Sequence, residues 1–318
     1  MFRPFLAAFL FLGIANAEAD EGPPNRLISD AIPAWRKLKA AEEHGNFTMR
    51  ERRWATENGR PLDHWSKSSR KRLVRDGPSF LVMSSSEGAT SEGYFGANPR
   101  YLFNVSRLAD TAPYVLRSLD LDTSGKARAD LQRQLVIFYT IARSRLFASI
   151  PLDELVTDPG FKLNRIEEVS DDGRECLKVH FSGALTRHKQ TFLDSWVILD
   201  PARDWSILRS EASFARFKLT VENEYWPESG GVSWLRRCQM TNTYPAEHVV
   251  ENHEYLFDKV EQAAIPASTF LLSSFGMPEP DRPVAAEYRS KLHYWLIGGA
   301  VAMFAAAYAL RRRGSRAA

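Results

Sequence analysis

Cysteine is scarce in this chain. Two occur in 318 residues, Cys176 and Cys238, with no CxxC and no cysteine–histidine pair at metal-binding spacing. That excludes a disulfide-knotted miniprotein and a zinc ribbon. Catalytic signatures are also missing: there is no HExxH, no GxSxG, no P-loop and no GxGxxG. Of the seven histidines, His248 and His253 lie five apart on a predicted strand and face opposite ways, while His180 and His188 flank a turn. No metal and no cofactor is assigned. No repeat of fixed period occurs, which sets aside solenoids and propellers. Surplus charge is small as well. The net charge is +3, and Arg3 with the four arginines beyond Leu310 supplies five positives, so residues 18–310 sit at −2. A nucleic-acid partner is therefore not expected.

Long apolar runs are confined to the two ends. Met1–Ala17 reads as a secretory signal peptide: Arg3 is the charged start, Phe5–Leu12 the apolar stretch and Ala15-Asn16-Ala17 the cleavage site. Leu292–Leu310 holds 19 residues with one strongly polar side chain, His293. At 1.5 Å per residue it covers about 28 Å, close to the hydrocarbon thickness of a bilayer. Tyr294, Trp295 and Tyr308 stand at its boundaries, and Arg311, Arg312 and Arg313 follow. This segment reads as a single transmembrane helix, with the tail 311–318 cytoplasmic and the domain outside. Gly298, Ala302 and Ala306 fall on one face of it, a candidate surface for a weak dimer or a membrane-protein partner.

Between the ends the chain reads as a flexible leader (18–27), one extracytoplasmic domain (28–272) and a proline-rich stalk (273–291). Ser29 or Asp30 is placed as the cap of a short helix carrying Trp35, Leu38 and Ala41. Strands follow near 46–56, 65–74, 79–85, 94–95 and 101–105, and a small helical piece near Pro113–Leu119. Apolar periodicity at Leu131, Leu135, Phe138, Ile141 and Ala142 marks helix between Ala127 and Phe147. The second half is a meander of seven short strands. Asp171-Asp172-Gly173 forms one hairpin turn, and Glu228-Ser229-Gly230-Gly231 another. Phe217, Leu219, Val221 and Tyr225 alternate with Lys218, Thr220, Glu222 and Glu224, the pattern of a sheet with one buried and one wet face. The fold class is α+β: a curved antiparallel sheet, an incomplete β-barrel covered by helices, plus the C-terminal transmembrane helix.

Two side-chain groups invite a functional reading. Lys67, Arg70, Lys71, Arg72 and Arg75 form a basic run on a predicted strand. A solvated edge strand explains it, and contact with anionic headgroups or a polyanion is the alternative. Seven tryptophans lie outside the apolar ends, and a curved sheet rich in inward aromatics encloses either an apolar ligand cavity or a packed core. Trp196, Ile198, Ile207, Leu219, Val221 and Trp234 are the inward residues assigned to a lipid or acyl-chain ligand. Export to an oxidising space makes Cys176 and Cys238 candidates for a disulfide.

The order of elements, with the stretch from Trp196 through Trp234 to Phe257 and the pieces Gly93-Tyr94-Phe95 and Tyr101-Leu102-Phe103, resembles the LolA/LppX-like fold of bacterial lipoprotein carriers and sorting proteins. Phe275-Gly276-Met277-Pro278-Glu279-Pro280 resembles a segment of membrane-anchored bacterial exported proteins, and Pro278-Glu279-Pro280 ahead of a span and arginines resembles a PEP-CTERM sorting signal. The first resemblance implies a half-barrel with helices in its mouth and a cavity for acyl chains. A tether departs from the soluble carriers and implies holding or sensing rather than ferrying. The expected function is non-catalytic apolar-ligand binding. A protein-interaction or envelope-sensing domain is the alternative, and an exported hydrolase stands behind both.

Overall fold

Helix α1 (Ile32–Glu42) begins after one wide turn at Leu27–Ala31 and buries Ile32, Trp35 and Leu38 along one side. Its start carries no side-chain cap; Pro33 holds the first turn, and Ser29 instead bonds Asp30. The structure, a computed structural model, describes residues 27–62, 66–227 and 231–281. The signal peptide, almost all of the leader, Trp65, three residues of the 228–231 turn, most of the stalk, the span and the basic tail lie outside them. Among the described residues no helix is long and apolar enough to cross a membrane.

A 14-stranded sheet, antiparallel throughout, dominates the fold. Its first arm is β1 (His44–Glu57), β2 (Lys67–Asp76), β3 (Ser79–Ser86), β4 (Glu92–Ala97), β5 (Leu102–Arg107) and β6 (Val115–Asp120). A helical passage follows: α2 (Gly125–Gln134), α3 (Val136–Ile141), a tight turn at Ala142–Ser144, the ribbon Leu146–Phe147 with Ile150–Pro151, and α4 (Leu152–Val156). The second arm is β7 (Phe161–Asp171), β8 (Arg174–Leu185), β9 (Gln190–Asp200), β10 (Ser206–Ser213), β11 (Lys218–Tyr225), β12 (Leu235–Tyr244) and β13 (Val249–Glu261). Each arm is a meander, and the arms join where β13 pairs with β1; a two-residue strand, Arg60–Pro61, folds back on β1. The free edges are β6 and β7, so the barrel is not closed.

The sheet curls. Laid flat, 13 strands at about 4.8 Å spacing would spread roughly 58 Å. Yet Phe80, Val82 and Leu102 from one arm share a single buried cluster with Phe181, Val197 and Leu208 from the other, and with Trp35, Ile141 and Leu155 from the helices. Bulges in β1, β8 and along the β9–β10 pair help the turn. α1 and the helical passage lie in the hollow. Trp35 Nε1 donates to the Trp205 carbonyl at 2.8 Å and Lys37 Nζ to Asp204 Oδ1 at 2.8 Å, stapling α1 to the β9–β10 turn. On the outer face Asn98 Nδ2 donates to the Phe270 carbonyl at 2.8 Å and Leu272 N–H to Tyr101 Oη at 3.0 Å. The compact unit runs to Ser274; a second unit starts at Phe275, described to Asp281.

Three expectations are corrected. Pro113–Leu119 is not helical: Val115–Asp120 is the edge strand β6, exposed on both faces, so it has no burial period to read. The basic strand is no edge, since β2 lies between β1 and β3. Cys176 and Cys238 are both free and buried. They sit on β8 and β12, with three strands of the sheet between them.

Gly160 and Gly183 meet where β7 starts. A Cβ on Gly183 (φ +146) would lie 2.0 Å from the Gly160 carbonyl oxygen, and one on Gly160 1.9 Å from that of Ala184. The obstacle is backbone in both cases. Gly183→Ala should therefore lower the urea-unfolding free energy by about 1–3 kcal/mol, and an unchanged midpoint would contradict the close approach.

Candidate ligand-binding site

Two openings lie along the inward face of one strand, β2. Its inward positions are set by pairing with β1: Lys67, Ser69 and Lys71 stand opposite Arg53, Glu51 and Met49, and Leu73 and Arg75 opposite Phe47 and Gly45. The first three belong to a basic mouth of about 540 Å³ completed by Glu51, Arg53, Ser84 and Ser86. The last two belong to a cleft of about 600 Å³ between α1, β2 and the helical passage.

The cleft combines apolar walls with a charged rim. Leu73, Phe138, Ile141 and Leu146 form the apolar part, while Lys39, Arg75, Arg133 and Arg145 bring positive charge and Glu42, Glu43 and Glu154 negative. The Arg75 guanidinium lies over the Phe138 ring at 5.6 Å, and Phe138 meets Phe80 edge-on at 4.9 Å. Glu42 ends α1 inside this rim. Arg145 grips its Oε2 through Nε at 2.9 Å and Nη2 at 2.5 Å, and Oε1 is buried with no hydrogen-bond partner. Burial pushes the Glu42 carboxyl above the ordinary value against the pull of Arg145, and burial lowers Arg75.

In the mouth Glu51 is buried but well served. Lys71 and Arg53 pair with it, and Ser69 Oγ donates to Oε2 at 3.1 Å. Burial pushes its carboxyl up, but these cations outweigh that and hold it below the usual range. His253 faces Arg53 across the β1–β13 pair, and burial with the Arg53 charge lowers its pKa. A larger depression of about 790 Å³ opens on the opposite face of the same strands. It mixes Arg50, Arg52 and Arg70 with Glu51, Glu87, Glu92, Asp110 and Glu254, and its apolar lining is limited to Met83, Ala89 and Leu256.

The sequence-assigned ligand residues fall elsewhere. Ile207 (β10) and Leu219 and Val221 (β11) are buried in the core, and Trp234 packs edge-on against Phe47 at 5.6 Å. Trp196 and Ile198 do not face inward. Val197 and Leu199 take the inner positions of β9, and Trp196 lies half-buried on the outside with the Lys178 ammonium 4.5 Å from its ring. None of the six lines the mouth or the cleft. The cleft residues Phe138, Ile141 and Ala142 belong to the apolar helical period; what sequence could not supply was their opposition to Leu73. Among the described residues no cluster of three His, Cys, Asp or Glu side chains could hold a metal, and His180 and His188 pair separately with Glu167 and Glu154.

No protein-family model and no curated protein matches this chain. Solved structures do. A DUF1329 family protein from Desulfovibrio piger is 12% identical, over 77% of this chain and 99% of that one, with a TM-score of 0.41. A putative outer membrane lipoprotein-sorting protein domain from Vibrio parahaemolyticus is 11% identical over 78% and 98%, TM-score 0.41. A LolA superfamily protein from Nitrosomonas europaea is 13% identical over 77% and 99%, TM-score 0.40.

Proposed function

We propose that this chain is a membrane-anchored, extracytoplasmic and non-catalytic binding module, and that the cleft under its helices takes the apolar chain of an amphiphile. One observation carries the reading: the cleft joins the apolar patch of Leu73, Phe138, Ile141 and Leu146 to a charged rim of four cationic side chains and the carboxylates of Glu42, Glu43 and Glu154. An apolar chain gains about 0.8 kcal/mol per buried CH₂, and a polar end would remain at the charged rim. The test uses the full chain in membranes containing a phospholipid with a photoactivatable acyl chain. Crosslinks are expected on the peptides carrying Phe138–Leu146 and Leu73, and competition with excess unlabelled lipid should remove them. Labelling confined to the 292–310 segment would sink the proposal.

A second reading has its own support. The edge strand β6 leaves Val115, Leu116 and Leu119 exposed beside Leu108 and Leu121, and an open edge with apolar side chains suits strand addition by a protein partner.

A further inference from the structure

Arg143 is the one buried cation among the described residues, with 7% of its surface exposed. It occupies the turn after α3, which packs on the inner side of β10 and β12. The turn is pinned from outside, since Asn223 Nδ2 donates to the Arg143 carbonyl at 3.2 Å and to that of Ile207 at 2.9 Å. The side chain is not matched. Nε and Nη1 are sealed from solvent, and neither has a hydrogen-bond partner.

The buried carboxylates cannot serve it, because all four are engaged elsewhere. Glu42 is held by Arg145, and Glu51 by Lys71 and Arg53. Asp158 accepts the backbone N–H groups of Gly160, Thr186 and Arg187 at 2.8, 3.0 and 3.0 Å. Asp200 accepts Ala202 N–H at 3.0 Å and has Arg174 and Arg203 at 3.6 Å. A guanidinium keeps its charge at any physiological pH, and an interior charge is retained when it is paired. A buried water could satisfy the N–H groups but not the charge.

The basic mouth opens on the same inner face of the sheet. Lys67, Lys71 and Arg53 line the mouth, and His253, whose buried Nδ1 also lacks a partner, stands opposite Arg53. The turn that carries Arg143 packs on β12, where Cys238 and Met240 pair with Tyr255 and His253 of β13. We propose that Arg143 anchors an anionic oxygen group, a carboxylate or phosphate, inside the half-barrel, admitted through the basic mouth. The site is separate from the cleft and stands whether or not the cleft holds an acyl chain.

The test is thermal unfolding of the full chain in uncharged maltoside micelles at constant ionic strength. Chloride is replaced by acetate, inorganic phosphate or dodecanoate. Acetate or phosphate should raise the melting temperature by about 5 °C over chloride at saturation. Arg143→Met, which keeps the length and removes the charge, should lose that rise and melt in chloride no lower than the wild type. Should this variant fail to fold, Arg143→Lys keeps the charge and should bind ¹³C-acetate, read by carboxylate line broadening, about tenfold more weakly. Dodecanoate acting at a tenfold or lower concentration than acetate would identify the head of an amphiphile, and equal potency a free small anion; both support the site. Identical melting of the wild type in all anions, or an unchanged anion response in both variants, would overturn it. Failure of the acyl-chain crosslinking alone would remove the cleft reading and leave this one intact.

Discussion

Phe147→Ala should destabilise the domain by about 3–5 kcal/mol, among the largest losses available to a single truncation here. Phe147 is fully buried, with the Phe181 ring 4.8 Å and the Phe192 ring 5.3 Å away, both edge-on at 69°. Each such contact is worth about 0.5–1.5 kcal/mol beyond area. Its neighbours are inner residues of β8 and β9, while Phe147 itself belongs to the helical passage. The substitution therefore opens a void between sheet and cover, where neither side can collapse without breaking the other's contacts. Urea denaturation measures it, and a loss under about 1 kcal/mol would show that the cover is not locked by this ring.

Arg145→Met should produce a loss of similar size that depends on pH. The pair joins α1 to the helical passage, and removing the cation leaves the Glu42 carboxylate buried and unpaired, at a cost of about 3–5 kcal/mol near pH 7–8. The sign follows from the direction of the shift. The folded Glu42 pKa lies above 4.5 because of burial, so the folded chain holds this proton more tightly than the unfolded one. Its contribution is most favourable below pH 4.5 and declines as pH rises through the folded value. Glu51 behaves oppositely: its folded pKa is lowered, so its stabilisation is present above 4.5 and disappears as pH falls through the folded value. Glu51 is common to both proteins, so the difference in melting temperature between wild type and variant isolates Glu42. That difference should shrink as pH falls toward 4.5. A constant difference would mean that the lost Arg145 matters for packing alone.

Much of the second arm was legible because strands such as β11 alternate on their own. Leu219 and Val221 point inward on β11 as their period requires, and the Asp172-Gly173 turn takes positive φ at both residues, as a tight hairpin demands. The helical period between Ala127 and Phe147 was legible as well, although the chain breaks at Leu135, which is extended, and so makes two helices. Non-local facts were hidden. Nothing within the basic run reveals that β2 has a partner on each side, because a strand rich in lysine and arginine reads as a solvated edge. Inwardness was lost at Trp196 and Ile198, since apolar residues on both faces of β9 erase the alternation that would have separated them from Val197 and Leu199. Arg143 carries no local signature; its meaning comes from a turn that buries it and from acids that all turn to other partners.

The seam between β13 and β1 gives the domain a timing problem. A chain made from its N-terminus completes β1 early and can pair one side of it with β2 at once. The other side stays bare until β13, the last strand, has been synthesised. Contacts this remote in sequence slow folding and prolong the exposure of a strand edge. A truncated product ending before Val249 would keep that edge permanently, so abortive translation or proteolysis in the last strand converts a folded domain into a template for aggregation.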